Sequence, residues 1–323
     1  MENLIFGAFA TLEGHREGDA ANLGSDAYYR CIVVALASAK LANPDCDVAL
    51  VTNAPVPRPY AAQLEAAGVQ VLDCPFDHYR VDAALEWSLA FYKLCAMEWV
   101  LAHTAYARCA LLDVDTYTQY PYTDLWREAD EAVLLYQVPH AANQPMAAAI
   151  SRNYARLYGG QPVLTHFGGE LIAGSRARLA DFMAECAGVY RTMNEKGLRP
   201  HEGDEFITCA AAYRSLLAGR PVRAANAYIF RYWVGARFYF VSTNYCNDPV
   251  CIFHLPGGKN RQLRVLYRRY AKRGAFPPRE KVYRLCCFPA AHPPLLRSIW
   301  VRLLARLGQK AGGCMASRLT LLR

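Results

Sequence analysis

The segment ALLDVDTYTQY (110–120) places two carboxylates, Asp113 and Asp115, directly after a short apolar run. A buried charge without a partner is costly. Either a strand ends here and the acids lie in water, as turn-forming acids often do, or a cation lies between them. Alternate residues of an extended chain point to the same side, so both carboxylates can face one cation. Two such oxygen donors suit magnesium or manganese.

The sequence around this segment alternates between strand and helix patterns. The predicted strands cover residues 4–10, 47–52, 69–72 and 107–112, followed by 131–138, 169–174, 228–241 and 249–254. The predicted helices cover residues 25–41 with Ser25 as N-cap, 57–67, 86–102, 175–196 and 202–214. Strands separated by helices predict an α/β fold with a mostly parallel central sheet covered by helices. Ligands of such sheets bind at the carboxyl ends of the strands, where we expect Asp113 and Asp115 to lie outside the core.

Composition is that of a globular chain. The 323 residues are 54% hydrophobic and 20% charged, which excludes a disordered chain. The sequence contains no run of 18 apolar residues, so it predicts no membrane-spanning helix. The first 19 residues lack the basic and long apolar regions of a signal peptide.

Cysteine usage points to a reducing compartment. The 12 cysteines are scattered, no C-x-x-C pair occurs, and most lie in apolar surroundings. We therefore expect reduced thiols and a cytoplasmic protein.

Charge is divided unevenly along the chain. Residues 255–323 hold 16 Lys and Arg against one acid, a net +15, whereas residues 1–254 hold 20 basic and 27 acidic residues, a net −7. Within this tail, PLLRSIWVRLLARLGQK (294–310) places Trp300 and several leucines at helical spacing among arginines. The pattern predicts a helix lying on an anionic membrane, at the cytoplasmic face. A helix packed on the domain is the alternative, and nucleic acid is a poor fit because the aromatic residues form no stacking platform.

A second motif, CIFHLPGGKNR (251–261), could complete the site. His254 ends a predicted strand, and an imidazole added to two carboxylates favours manganese over magnesium. Gly257 and Gly258 would allow close approach of a ligand, and Lys259 would suit a diphosphate. The alternatives are an ordinary strand-end histidine and a lysine of the solvated tail.

Several segments together resemble glycosyltransferase family 8, the group of glycogenin and bacterial lipooligosaccharide galactosyltransferases. The resemblance covers residues 4–261. It is carried by AFATL (8–12), SDAYYRCIVVALASAK (25–40), VALVTN (48–53), FYKLCAMEWVLAHTAYARCALLDVDT (91–116), HFGGELIAGS (166–175), EGDEFI (202–207) and FHLPGGKN (253–260).

The resemblance implies a GT-A fold in residues 1–262, with a Rossmann-like nucleotide-binding half and an acceptor half. Residues 263–323 are predicted to form a separate basic extension because of their charge. It implies a retaining hexosyltransferase that uses a UDP-sugar donor, Mn²⁺ (or Mg²⁺), and a carbohydrate, glycolipid or protein acceptor. Metal ligands would be Asp113, Asp115 and His254. Donor contacts would come from Leu12 and Tyr28 at the uracil, and from Lys93, Val114, Gly168, Gly169, Gly257, Gly258 and Lys259. Asp204, Glu205 and Lys93 would act at the transferred sugar.

Two departures from the family pattern concern sugar recognition. Phe167 precedes Gly168 where the family has Asn, and Glu205 follows Asp204 where the family has Gln. An insertion, GHREGDAANLG (14–24), also follows Leu12. A metal-dependent nucleotidyltransferase and a non-catalytic nucleotide-sugar-binding protein with a basic tail therefore remain as alternatives.

Overall fold

The computed structural model describes residues 2–12, 24–85, 87–138, 145–160, 162, 164–231, 250–286 and 303. The first half of the chain forms β1 (Asn3–Phe9), α1 (Gly24–Ala42), β2 (Asp47–Thr52), α2 (Arg58–Ala66), β3 (Val69–Asp73), α3 (Tyr92–His103), β4 (Arg108–Leu112), β5 (Thr116–Thr118), α4 (Thr123–Ala129), β6 (Val133–Gln137) and α5 (Pro145–Tyr158). The remainder forms β7 (Phe167–Ser175), α6 (Arg176–Glu195), α7 (Asp204–Leu217), β8 (Val222–Ala224), β9 (Ile229–Arg231), β10 (Ile252–His254), α8 (Gln262–Arg273) and α9 (Arg279–Cys286).

The central sheet has seven strands in the order β3-β2-β1-β4-β7-β6-β8. The first four are parallel, β7 is antiparallel to both of its neighbours, and β8 is parallel to β6. The predicted α/β class with a mostly parallel, helix-covered sheet is therefore confirmed. The carboxyl ends of β1, β2 and β4 and the amino end of β7 consequently share one edge of the sheet.

Both faces of this sheet are buried, which explains the near-continuous apolar runs of its strands. Along β1, Leu4 and Phe6 belong to the hydrophobic cluster that includes residues of α3, α6 and α7. Ile5 between them belongs to the cluster that includes residues of α1 and α4. The two-residue period of a strand thus divides the core into two layers.

A second sheet, in the order β5-β10-β9, brings the later motif to the same edge. Strand β10 is antiparallel to β5, with His254 opposite Thr116. The N–H of Leu255 donates to the carbonyl oxygen of Asp115 at 2.9 Å. Residues separated by about 140 positions in the chain therefore meet at the end of β4.

Most predicted helix boundaries differ from the observed ones by one to three residues, and two differences have a clear local cause or consequence. Helix α1 already includes Gly24, so Ser25 lies within it rather than at its N-cap. Helix α3 begins at Tyr92 rather than at residue 86. Before it, the Ala84 N–H donates to Asp82 Oδ1 (2.9 Å), the Leu85 N–H to the Asp82 carbonyl (3.0 Å) and the Ala90 N–H to the Trp87 carbonyl (3.0 Å). Such local hydrogen bonds compete with the helical ladder and delay its start.

The described part of the basic extension packs against the body. Leu263 and Leu266 of α8 and Val282 of α9 share a hydrophobic cluster with Cys31 and Val34 of α1. The predicted helix within 294–310 lies outside the described residues except for Leu303, as does the predicted strand beyond Arg231. Among described helices, none has the length and apolar character needed to cross a membrane. The nine described cysteines are buried free thiols.

Candidate metal and donor site

The two aspartates that follow β4 are held by backbone hydrogen bonds on either side. The Asp113 N–H donates to the carbonyl of Glu170 in β7 at 3.0 Å, and the Asp115 carbonyl accepts from Leu255. Val114 packs in the opposite direction, because a Cβ added at Gly7 of β1 would lie only 3.0 Å from Val114 Cγ1. Its side chain is partly buried against the core, so we expect a donor contact at this residue to come from its backbone.

His254 completes a compact group of ligand atoms. Its Nε2 lies 3.0 Å from Asp115 Oδ1 and 3.5 Å from Asp113 Oδ2. One ligand atom from each of these three residues lies within 4.8 Å of the others. Two carboxylate oxygens and one imidazole nitrogen form a donor set that suits Mn²⁺. The residues therefore fit the predicted metal ligands.

Each of the two aspartate carboxylates forms an ion pair with a lysine from another part of the chain. Lys93 Nζ in α3 lies 2.8 Å from Asp113 Oδ1, and Lys259 Nζ lies 2.6 Å from Asp115 Oδ2. Asp115 is only 5% exposed, so the prediction that it lies outside the core was wrong. It is buried because strand β10 and the following turn cover it and supply its counter-charges.

Electrostatics within the group favour charged side chains. Burial alone would raise the pKa of Asp115, but Lys259 and His254 outweigh it and hold this pKa well below its usual range. Burial would lower the pKa of His254, but Asp115 and Glu170 outweigh it and raise it to about 9. The carboxylates are thus stabilised by protonated nitrogen groups placed against them.

A buried ion-pair network behind His254 was missed in the sequence. Glu170 of β7 is fully buried, and its Oε2 accepts from Arg231 Nη2 at 2.6 Å. Arg231 also donates to Glu205 Oε1 at 2.7 Å, and the other Glu205 oxygen lies 2.7 Å from His166 Nε2. The available signal was the lone charge of Glu170 within an otherwise small and apolar strand, 167–175.

Asp204 and Glu205 begin helix α7 and face this network. Asp204 Oδ2 lies 3.1 Å from Lys93 Nζ, an ion pair without hydrogen-bond alignment. Burial raises the pKa of Asp204 to about 6 against the opposing effect of Lys93. Glu205 has a lowered pKa because Arg231 and His166 outweigh its burial. Lys93 therefore joins Asp204 to Asp113, and Arg231 and Glu170 join Glu205 to His254.

Gly168 and Gly169 make room for two ion pairs on opposite faces of β7. A Cβ at Gly168 would lie 1.9 Å from Glu170 Oε2 and 2.2 Å from Arg231 Nη2. A Cβ at Gly169 would lie 2.2 Å from Asp204 Oδ2 and 2.8 Å from Lys93 Nζ. These glycines were predicted as donor contacts, and the structure gives each of them a packing role.

Gly169→Ala is expected to lower the free energy of unfolding by about 1–3 kcal/mol, the usual cost of overpacking. The added methyl group would separate Lys93 from Asp204. Thermal or denaturant unfolding measures the effect. Gly188→Ala is the matched control, since open space surrounds that helical glycine in α6. The control should be neutral or stabilising by about 0.5–1 kcal/mol, and equal melting of the two variants would contradict the packing role.

The turn after β10 supplies the remaining predicted donor contacts. Residues Pro256–Gly258 form a short 3₁₀ turn. A Cβ at Gly257 would meet open space, which leaves room for a ligand, whereas one at Gly258 would lie 3.0 Å from Leu255 and from Gln262. Lys259 Nζ lies 2.6 Å from Asp115 Oδ2 and 5.7 Å from the centre of the Tyr28 ring.

Of the two predicted uracil contacts, Tyr28 lies beside this lysine. Tyr28 is buried and stacks on Phe9 at the end of β1, with ring centres 5.9 Å apart. Leu12 is partly buried against the core. Thr11, between Phe9 and Leu12, exchanges two hydrogen bonds with Asn53 at the end of β2, of 2.8 and 2.9 Å. Lys259 therefore lies between the predicted nucleotide side and the predicted metal ligands.

Carboxylates outnumber the permanent cations in this group. Three side chains are permanent cations, namely Lys93, Lys259 and Arg231. They face five carboxylates among the described residues, namely Asp113, Asp115, Glu170, Asp204 and Glu205.

No family model matches the chain, and no curated protein matches it.

Proposed function

We propose that this protein is a metal-dependent, retaining glycosyltransferase of the GT-A type that transfers a hexose from a UDP-sugar to an acceptor hydroxyl. The acceptor would be a glycan, a lipid-linked glycan or a protein. The observation that carries the proposal is the grouping of Asp113, Asp115 and His254, with Lys259 beside them. The two carboxylates and the imidazole could bind a divalent cation, and the lysine could bind the diphosphate that the cation would accompany.

The class of the fold supports this proposal, and so does the position of the group within the fold. The group lies at the carboxyl end of β4, next to β1, where ligands bind in open α/β sheets. A mostly parallel seven-stranded sheet flanked by helices is compatible with a GT-A arrangement. The segments 91–116, 166–175, 202–207 and 253–260, which carry the family resemblance, also meet around this one group.

The proposed chemistry divides among the protein's side chains. A bound Mn²⁺ would supply Lewis-acid stabilisation of the charge that develops on the diphosphate leaving group. Asp113, Asp115 and His254 would hold the ion. Lys259 would turn from Asp115 to the diphosphate, and the open space at Gly257 would admit the phosphate oxygens.

Lys93, Asp204 and Glu205 are proposed to contact the transferred sugar. Asp204, whose pKa is about 6, has a buried oxygen without an aligned hydrogen-bond donor, and a sugar hydroxyl could supply one. Glu205 is fixed by Arg231 and His166, which makes it the poorer nucleophile of the two. We therefore propose hydrogen bonding to sugar hydroxyls as the main role of both carboxylates.

Donor turnover distinguishes this proposal from its alternatives. Incubation with UDP-sugars and Mn²⁺ should release UDP, with or without a supplied acceptor. Release of pyrophosphate from a nucleoside triphosphate would instead indicate a nucleotidyltransferase. Binding of UDP-sugars without any turnover would indicate a non-catalytic binding protein. This alternative is considered because Phe167 and Glu205 depart from the family pattern. A thermal-shift panel of nucleotide sugars, with and without Mn²⁺, identifies the donor to use.

The basic extension is proposed to attach the enzyme to an anionic membrane that carries its acceptor. Truncation after Pro294 removes the sequence pattern of an interfacial helix and is expected to reduce co-sedimentation with anionic vesicles. Each Lys or Arg near such a surface contributes about 1 kcal/mol, and salt should weaken the attachment.

The truncated protein should retain transfer to a soluble acceptor, because the residues of the candidate site end at Lys259. Equal sedimentation of the full-length and truncated proteins would contradict a role for this segment. The absence of sedimentation for both would favour a helix packed on the domain.

A further inference from the structure

Glu170 lies between His254 and Arg231, on the side of the histidine ring away from the aspartates. Its Oε1 is 3.3 Å from His254 Nδ1, while His254 Nε2 faces Asp115 Oδ1 at 3.0 Å. Arg231 donates to Glu170 through Nε at 2.5 Å and through Nη2 at 2.6 Å. The carboxylate is fully buried, so its orientation is set by these two partners.

This arrangement defines which ring nitrogen is available to a cation. A neutral imidazole carries one proton, and the nitrogen without it is the ligand. Glu170 is an acceptor for a proton on Nδ1, and the backbone around Asp113 and Asp115 holds the acids against Nε2. Where a cation takes the place of the proton on Nε2, the proton kept on Nδ1 would leave the Nε2 lone pair directed towards that cation, beside the two aspartates.

The surroundings of Glu170 hold its side chain in place. The position of its carboxylate requires Gly168, since a Cβ there would lie 1.9 Å from Glu170 Oε2. Arg231 is in turn held by Glu205 at 2.7 Å. A carboxylate fixed in this way can orient the ring that it contacts.

We propose that Glu170 is a positioning residue that fixes the tautomer and ring orientation of His254, so that Nε2 is presented as a metal ligand. This inference rests on the proposed metal site and adds to it a residue outside the ligand set. Carboxylates that orient metal-binding histidines typically affect metal affinity by about 10–100-fold when they are removed.

The competing explanation is that Glu170 serves only as the counter-ion of Arg231. Two substitutions separate these roles. Glu170→Gln and Glu170→Met both remove the charge opposite Arg231 and have similar size. The Gln side chain retains a carbonyl oxygen that can accept from Nδ1, whereas Met offers no comparable acceptor.

The experiment measures Mn²⁺ binding to the purified full-length protein without nucleotide, by the loss of the free Mn²⁺ signal in electron paramagnetic resonance. Glu170→Met is expected to weaken binding by about 10–100-fold, whereas Glu170→Gln should stay much closer to the native affinity. Glu185→Gln is the matched control, because Glu185 is bound by Arg214 and Arg220 away from the site and should leave Mn²⁺ affinity unchanged.

Equal weakening by Gln and Met, or no weakening by either, would overturn the positioning role. Asp115→Asn, measured alongside, reports on the metal site itself. If Asp115→Asn leaves Mn²⁺ binding intact, the proposed metal site fails and the inference fails with it. If Asp115→Asn abolishes binding but Gln and Met at Glu170 behave alike, only the inference fails.

If Glu170→Met does not fold, the Gln and Met variants at position 170 can be compared in a protein that already carries a second substitution. Arg231→Met removes the guanidinium that would otherwise remain near an uncharged residue 170. The Gln and Met variants at Glu170 are then compared within this background by the same Mn²⁺ measurement. The same order of affinities, with Gln above Met, is expected, and equal affinities would overturn the proposal.

Discussion

Asp115→Asn is expected to reduce Mn²⁺-dependent transfer by about three orders of magnitude or more. A metal supplies several kcal/mol of transition-state stabilisation, and about 1.4 kcal/mol corresponds to a tenfold rate change. Asp115 is the best-placed ligand of the group because it is buried and contacts both His254 and Lys259. The measurement is the initial rate of UDP release at saturating Mn²⁺, with circular dichroism to verify that the variant is folded.

Asp130→Asn provides the matched control for this change. Asp130 pairs with Arg108 at 2.7 Å, but its side chain is 46% exposed and it lies outside the candidate site. Exposed ion pairs contribute at most about 1 kcal/mol, so both stability and transfer should be nearly unchanged. Near-native transfer by Asp115→Asn, in the presence of Mn²⁺, would contradict the assignment of Asp115 as a metal ligand.

Lys259→Met is expected to move two affinities in opposite directions. Loss of a charged donor to the diphosphate should weaken UDP binding by about 1.5–3 kcal/mol, which corresponds to roughly 10–150-fold. Binding of Mn²⁺ alone should become tighter, because Lys259 Nζ pairs with Asp115 Oδ2 at 2.6 Å and would compete with the cation for this oxygen. Calorimetry with UDP plus Mn²⁺, and with Mn²⁺ alone, measures both effects.

Lys272→Met is the control that tests whether removal of any lysine from this region would change the affinities for UDP and Mn²⁺ in the same way. Lys272 is exposed in the last turn of α8, and no site residue contacts it among those described. It should change neither affinity. If Lys259→Met leaves UDP affinity at the native value, Lys259 serves only as the counter-ion of Asp115.

The class of fold and the position of the site could be predicted from the sequence because both depend on local pattern. Strands such as β2 (Asp47–Thr52) are buried on both faces and therefore appear as apolar runs between helices. The two aspartates follow β4 directly, so their place at the edge of the sheet follows from chain connectivity. His254 and Lys259 could also be singled out from local pattern, because a strand end at His254 is followed directly by a glycine turn and Lys259.

The start of α3 could not be predicted in this way. Residues 86–91 are compatible with a helix by their composition, but turns are found on this stretch, such as the one closed by the hydrogen bond from the Ala90 N–H to the Trp87 carbonyl. Trp87 also packs beside Gly203, where an added Cβ would lie 2.9 Å from Trp87 Cβ. A contact between segments this far apart is a property of the assembled fold.

By itself, the sequence determined the α/β sheet, the pair of carboxylates at its edge and the histidine and lysine that could join them, since each depends on neighbouring residues. Only the tertiary structure decided how those charges are compensated. Glu170 and Arg231 are 61 positions apart, and Lys93 and the carbonyl of Gly169 are 76 positions apart. They meet because β7 pairs antiparallel to β4 and β10 brings β9 to the same edge. Burial of Asp115 and the need for Gly168 and Gly169 follow from that assembly, because ion pairs depend on distances in space and not on spacing along the chain.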